Sequence, residues 1–337
     1  MKSRLKIIAT IFLAGFLLVG CSYYFIFVKA NISAIETDFI FQVKRTTLAG
    51  EVWHECDLPL DNNSTWKMAA SFKRLREIRP GRYQFKKGMS NNDIIREFRS
   101  GGQATVKLRI DNVSSLDELA GRLGESLMHD SSHFMSAFEN DTILSKLTID
   151  KNQVASIIRP DTYEFYWTMD GSSLLKKMKE ESAKLWNSSR ASSCDQLGLN
   201  AHEVITLASI VKAETSNLGE APRIAGLYLN RLRIGMPLQS DPTALFGRRK
   251  SSGRVYLNDI QSETPYNTYK FKGLPPGPIN FPESTYVDAV LQAEKHRYLY
   301  MCAEPGGTGK HRFATNLGEH EQNRTAYIRW LNNQARK

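Results

Sequence analysis

The stretch from Ile7 to Val28, IIATIFLAGFLLVGCSYYFIFV, runs 22 residues without a charge, and nothing else in the chain restricts its folding so sharply. About 20 apolar residues wound as a helix reach across the hydrocarbon core of a bilayer. Lys2, Arg4 and Lys6 precede the run and only Lys29 follows it closely. The positive-inside bias therefore leaves the short tail 1–6 in the cytoplasm and puts everything after about residue 30 on the outer side.

Two other readings of the run stay open. An apolar stretch behind a basic start is also the pattern of a cleaved secretion signal, although no A-x-A-like site follows it. The string Leu18-Val19-Gly20-Cys21 has the form of a lipoprotein-processing box that would acylate Cys21. Against that, Tyr23 to Val28 continue the apolar run past the cysteine, which a helix that stays in the membrane needs and a lipidated N-terminus does not. The span and the lipidated form both hold the chain at a cytoplasmic membrane.

The remainder is ordinary globular material, 41% hydrophobic and 24% charged in 337 residues, which excludes a disordered tail and leaves room for two or three packed modules. The net charge of +10 is concentrated: Lys67 to Arg109 hold 12 Lys/Arg against 3 Asp/Glu, a local excess of +9. Such a surface meets nucleic acid, anionic lipid or an acidic polymer, and outside the cytoplasm nucleic acid drops out. A lipid-headgroup contact beside the anchor is one use of the patch. Cys56, Cys194 and Cys302 are odd in number and have no metal-like spacing, so they read as small buried hydrophobes.

Along the chain, residues 30–110 read as a small α+β module. Strands are expected at Phe41 to Arg45, Gly81 to Phe85 and Thr105 to Ile110, around a helix from Asn91 to Arg99 that Ser90 caps and Gly101-Gly102 ends. Residues 111–194 form a connecting α+β region, with helices starting behind Ser114 or Ser115, from Ser131 to Phe138 and from Ser173 to Trp186. Within it, Arg159 to Trp167 are dense in aromatics and form either core or a sugar-stacking surface. Asp195 to Asn200 read as a linker into a mixed α/β C-terminal domain, 195–337.

That domain opens with Asn200-Ala201-His202-Glu203, an N-cap with Glu at the N3 position. Val204, Leu207, Val211 and Glu214 then fall at i, i+3, i+7 and i+10. Glu214 thus extends an apolar stripe, where loss of hydration and the negative end of the helix both raise a carboxyl pKa. An acid kept protonated near neutral pH is what glycosidic cleavage requires, because the leaving oxygen must receive a proton. On periodicity alone, an exposed carboxylate at a frayed helix end is the more ordinary reading.

The strings LASIVKAET (207–215), LYLNRLRIGMPLQSDPT (227–243), TPYNTYKFKGLPPGPI (264–279) and YLYMCA (298–303) reverse that preference. They resemble the endolytic murein transglycosylases, the YceG-like or MltG family. IRPGRYQFKKGMS (78–90) is similar to that family's LysM-like portion, and RPDTYEFYW (159–167) and the apolar N-terminus extend the match. The resemblance implies a lyase that cuts nascent peptidoglycan strands internally between N-acetylmuramic acid and N-acetylglucosamine, leaves 1,6-anhydro ends and so ends strand elongation. Glu214 falls on the family's catalytic acid, and Lys212 stands where many members have a second Glu. A single acid suits this chemistry, since the sugar's own 6-hydroxyl serves as the nucleophile in place of water activated by a second carboxylate.

Gln239, Ser240, Asp241, Thr243, Tyr266, Asn267 and Thr268 supply hydroxyl, amide and carboxylate groups that suit sugar binding. For Asp241 a turn role is also open, because Ser-Asp-Pro-Thr favours a turn in which Asp bonds its own backbone. The Gly273 to Pro278 string is a stiff loop that shapes a cleft wall. His311, Phe313, Thr315 and His320 belong to the family's terminal pattern, and a structural hydrogen-bonding role suits the histidines. No metal or other cofactor is expected. Gly306 to Lys310 lack the phosphate-loop spacing and read as a hairpin turn. The expected partners are glycan strands, the membrane through residues 7–28, and a peptidoglycan synthase. The competing class is an inert, membrane-tethered peptidoglycan-binding scaffold.

Overall fold

The computed structural model describes the whole chain apart from residues 1, 34–36, 102, 112, 250–252, 254 and 336–337. Gly102, expected to help end a helix, and part of the 30–110 module lie outside the described residues. The chain divides into two units: Met1–Leu108 with Ser126–His129 and Glu164–Met169, and Arg109–Glu125 with Asp130–Tyr163 and Asp170–Lys337.

In the first unit the apolar run is a helix, Lys2–Tyr23, continued by a π-helical turn, Tyr24–Val28. Together Lys6–Val28 form one continuous stretch long and apolar enough to cross a bilayer. Behind it, Phe39–Val43 pairs antiparallel with Gly81–Phe85, Phe41 opposite Tyr83, and Thr47–Leu48 pairs with Glu77–Ile78. Alternation puts Phe41 and Val43 on one face with Tyr83 and Phe85, and the helices Asn63–Phe72 and Asn91–Ser100 supply Trp66 and Phe98 to the same core. The second of these helices starts at a capping box between Ser90 and Asp93 and ends at Gly101, whose φ of 62° is the left-handed cap expected of glycine. The first strand ends at Val43, earlier than the expected Arg45; Lys44 and Arg45 are exposed.

The second unit is largely helical. Its core surrounds Ala201–Glu214, against which Ala221–Arg233 and Ser284–Leu291 pack. The Asn200/Glu203 capping box is present, with reciprocal bonds of 3.0 and 2.8 Å. Burial on Ala201–Glu214 is not a stripe: every residue from Val204 to Val211 is buried, including Thr206 and Ser209. These two hydroxyls return to the helix backbone at His202 O and Thr206 O, which removes the cost of burying them.

The β part of the mixed α/β domain expected at 195–337 is, among the described residues, one antiparallel hairpin, Tyr300–Ala303 with His311–Ala314. Gly306, Gly307 and Gly309 make its turn at φ of 109°, 67° and 70°, and Glu304 N donates to Lys310 O. Among the described residues every sheet is two-stranded, including the pairing of Thr105–Ile110 with Asp161–Tyr166. In the latter strand Tyr163 and Phe165 are buried while Tyr166 is exposed, so the aromatic segment is mainly core.

Two expectations are corrected. Asp195 to Asn200 are not a linker throughout, because Ser188–Leu197 is a helix capped by Asn187 and ended by Gly198 at φ 68°. Its composition, SSRASSCDQL, has too little apolar periodicity to announce it, and the two caps are its only signals. Of the three outer cysteines, Cys194 alone is buried; Cys56 and Cys302 are partly exposed.

Candidate active site

Glu214 is the last residue of the buried Ala201–Glu214 helix and is itself half-buried. Two hydroxyls converge on one of its oxygens: Tyr228 Oη donates to Oε1 at 2.7 Å and Ser240 Oγ donates to the same atom at 2.5 Å. Oε2 has no partner among the described residues. Burial raises the Glu214 pKa above the ordinary carboxylate value. The Ser240 and Tyr228 bonds oppose that rise, the charge of Asp241 adds to it, and a charged His311 opposes it. With Oε1 already accepting twice, the proton of the neutral acid belongs on Oε2.

Tyr228 comes from Ala221–Arg233, and burial and the neighbouring carboxylate raise its phenol well above the usual range, so it stays a donor. Ser240 is fully buried at the N-cap of Asp241–Gly247, yet its hydroxyl caps nothing there and serves Glu214 instead. Its place is set by a lattice around Thr268. Ser240 N donates to Thr268 Oγ1 at 3.0 Å, Gln239 N to Thr268 O at 3.1 Å, and Thr243 Oγ1 lies 2.8 Å from Thr268 Oγ1 and donates to Ser240 O at 2.6 Å. Gln239 takes a left-handed φ of 51° to enter this turn.

The seven polar residues picked from the sequence therefore separate. Ser240, Thr243 and Thr268 form the buried lattice behind Glu214. Asn267 is also buried, and its amide nitrogen is spent on the carbonyls of Ile260 and Ser262, at 2.7 and 2.8 Å. Gln239 and Asp241 are exposed, and Asp241 accepts a bond from the Tyr269 phenol, whose pKa is raised by burial and by that carboxylate. Tyr266 is half-buried with its ring 4.8 Å from Phe246.

Three residues escaped the sequence reading. Tyr228 looks like one more apolar position on an amphipathic helix. Arg231 is 7% exposed and ties Leu238 O and Leu299 O, both at 2.6 Å, which anchors the approach to Ser240; burial lowers its pKa. Glu220 is 6% exposed and holds both the backbone N–H and Nδ1 of His311 at 2.9 Å. The only sequence hint was that Tyr228 and Arg231 lie inside the 227–243 string; Glu220 falls between that string and 207–215.

The proline-rich loop is fastened to the same helix. His202 Nε2 lies 2.9 Å from Pro276 O, Ile279 N donates to Ser209 Oγ at 3.0 Å, and Asn280 donates to Ser209 O at 2.8 Å. Gly277 permits the approach, since a Cβ there would sit 2.5 Å from Asn152 O. Lys212 does not touch Glu214; it binds Glu283 Oε1 at 2.7 Å and Phe281 O at 2.9 Å.

Residues 53–326 match the model of the YceG-like family. An endolytic murein transglycosylase of Bacillus subtilis (strain 168) is 25% identical over 287 residues, covering 80% of this chain and 78% of that protein. One from Streptococcus pneumoniae (strain R6) is also 25% identical and covers 77% of this chain, which spans only 52% of that relative's length. A crystal structure of a yceG-like protein of Listeria monocytogenes superposes with a TM-score of 0.57 at 22% identity, covering 85% of this chain and 98% of that one. With more than half its length inside the family match, the chain belongs to the YceG-like family.

Proposed function

We propose that this chain is an endolytic peptidoglycan lytic transglycosylase in which Glu214 is the catalytic acid. The observation that carries the reading is the Glu214 carboxyl at the end of a buried helix, its pKa raised by burial and its Oε1 saturated by Tyr228 and Ser240. The activity of the named relatives points the same way.

In this mechanism Oε2 gives its proton to the glycosidic oxygen between N-acetylmuramic acid and N-acetylglucosamine as the C1–O bond breaks. The two hydroxyls then stabilise the carboxylate that forms on Glu214. The 6-hydroxyl of the same muramic acid residue attacks C1 and returns its proton to Glu214, so the enzyme is restored and a 1,6-anhydro end remains. Gln239, Asp241 and Tyr266 line the approach and contact sugar, while Thr243 and Thr268 brace the turn that carries Ser240 and Asn267 ties down the neighbouring turn at Ile260 and Ser262. The first unit holds the strand as a LysM-like module, and the Lys6–Val28 helix is a retained single-pass anchor with the rest of the chain outside the cytoplasm. The burial of Phe27 in the core of the first unit supports retention, because cleavage behind the apolar run would remove a core side chain.

Full-length protein incubated with glycan strands should release fragments with anhydro-muramic ends, read by mass spectrometry. Glu214→Gln should abolish them while strand binding persists. Undiminished product from that variant would sink the assignment, and ordinary reducing ends in the wild type would mean hydrolysis.

A further inference from the structure

The end of the apolar helix is built into the first unit with no slack. Phe27 is 5% exposed and Ile32 fully buried. Asn91 Nδ2 donates to Ile26 O at 2.8 Å, Asn31 binds Asn91 at 2.7 Å, and Asn31 N donates to Met89 O at 2.8 Å. The 23 residues of Lys6–Val28 rise about 35 Å as a helix, against a hydrocarbon core of about 30 Å. If the helix is a retained span, the docked turn therefore lies at the membrane surface, and whatever touches Phe27 lies there too.

What touches it is unusual for a water-facing surface. The Phe72 ring packs 5.4 Å from Phe27 yet is 75% exposed, and Met68, one turn earlier on the same helix, is 50% exposed. Lys73 Nζ stands 5.5 Å from the Phe27 ring and Lys29 Nζ 5.2 Å from the Phe25 ring. Arg74 is exposed beside them, where the chain reverses at φ 57°, and the Arg99 guanidinium binds the Lys73 carbonyl. Residues 63–76 contain Lys67, Lys73, Arg74 and Arg76 and no acid. Among the described residues, Lys29, Lys73 and Arg74 have no carboxylate partner.

We propose that this face, Phe72 and Met68 ringed by Lys29, Lys73 and Arg74, is a collar that seats the first unit on anionic phospholipid. Its apolar centre is continuous with the span and enters the headgroup layer, while the ammonium and guanidinium groups meet lipid phosphates. A glycan strand would account for the charge but not for large apolar side chains exposed beside the membrane exit. The collar rests on the reading of Lys6–Val28 as a retained anchor.

The test uses the full-length chain in phosphatidylglycerol-containing vesicles, with a benzophenone photoprobe in place of Phe72 or, separately, of Val19 within the span. Lipid adducts are expected at both positions. At position 72 the yield should fall at least threefold in purely zwitterionic vesicles, and by as much again in Lys73→Glu/Arg74→Glu. Adducts at 19 but none at 72 overturn the collar and leave the anchor standing. A yield at 72 indifferent to lipid charge overturns the headgroup contact. Absence at both positions overturns the anchor and the collar with it.

Discussion

Ser240 sits at the N-cap of its own helix but turns its hydroxyl away, donating it to Glu214 Oε1 at 2.5 Å. An N-cap serine that satisfies its own helix is worth about 1 kcal/mol. Here that contribution is forgone, and the hydroxyl instead fixes one rotamer of an acid 26 residues away. The Thr268 lattice holds Ser240 in place without the cap.

Replacing Glu214 by Gln should cost at least about 100-fold in anhydro-product formation, the scale of a lost general acid. Stability should move the opposite way with pH. The folded-state pKa of Glu214 is raised, so the folded wild type loses stability as pH climbs above the ordinary value of 4.5 toward that raised value. The amide has no such loss. Thermal melts of the two proteins should therefore separate in favour of the variant as pH rises, and parallel curves would contradict the raised pKa.

Removing the Ser240 donor with Ser240→Ala takes away a bond that favours the ionised acid, so the Glu214 pKa rises further. The alkaline limb of the pH–rate profile should shift to higher pH, with a loss of roughly tenfold in kcat from the displaced carboxyl. Tyr228→Phe should shift the limb in the same direction. A fall in rate with an unmoved limb would make both residues merely structural.

Glu220 lies under the hairpin strand that begins at His311, and its two carboxylate oxygens hold that residue's N–H and Nδ1. Glu220→Ala should leave these donors unpaired in a half-buried place and destabilise the protein by about 1–3 kcal/mol in chemical denaturation. An unchanged midpoint would mean that water replaces the carboxylate without penalty.

At Gly277 an added methyl meets Asn152 O at 2.5 Å and Tyr266 Oη at 3.4 Å. Gly277→Ala should cost about 1–3 kcal/mol through overpacking. Because the loop is pinned to the Ala201–Glu214 helix, KM for glycan strands should rise more than kcat falls.

Local chemistry was legible where the determinants are local. The charge-free run from Ile7 to Val28, the Ser90/Asp93 and Asn200/Glu203 capping boxes, the strand Gly81–Phe85 and the glycine-rich hairpin turn all depend on residues within a few positions of one another. Ser188–Leu197 was missed because its caps speak for a helix that its apolar pattern does not.

By itself, the sequence determined that an acid extends the apolar positions of a capped helix and which family strings surround it. Whether that acid is a proton donor was a tertiary decision. Tyr228 lies 14 residues away and Ser240 lies 26, and their meeting on a single oxygen depends on the packing of Ala221–Arg233 and on the Thr268 lattice. Periodicity records which face of a helix is buried. It cannot record which hydroxyl from another element arrives there, because a hydrogen bond is decided by tenths of an ångström between chains that only folding brings together.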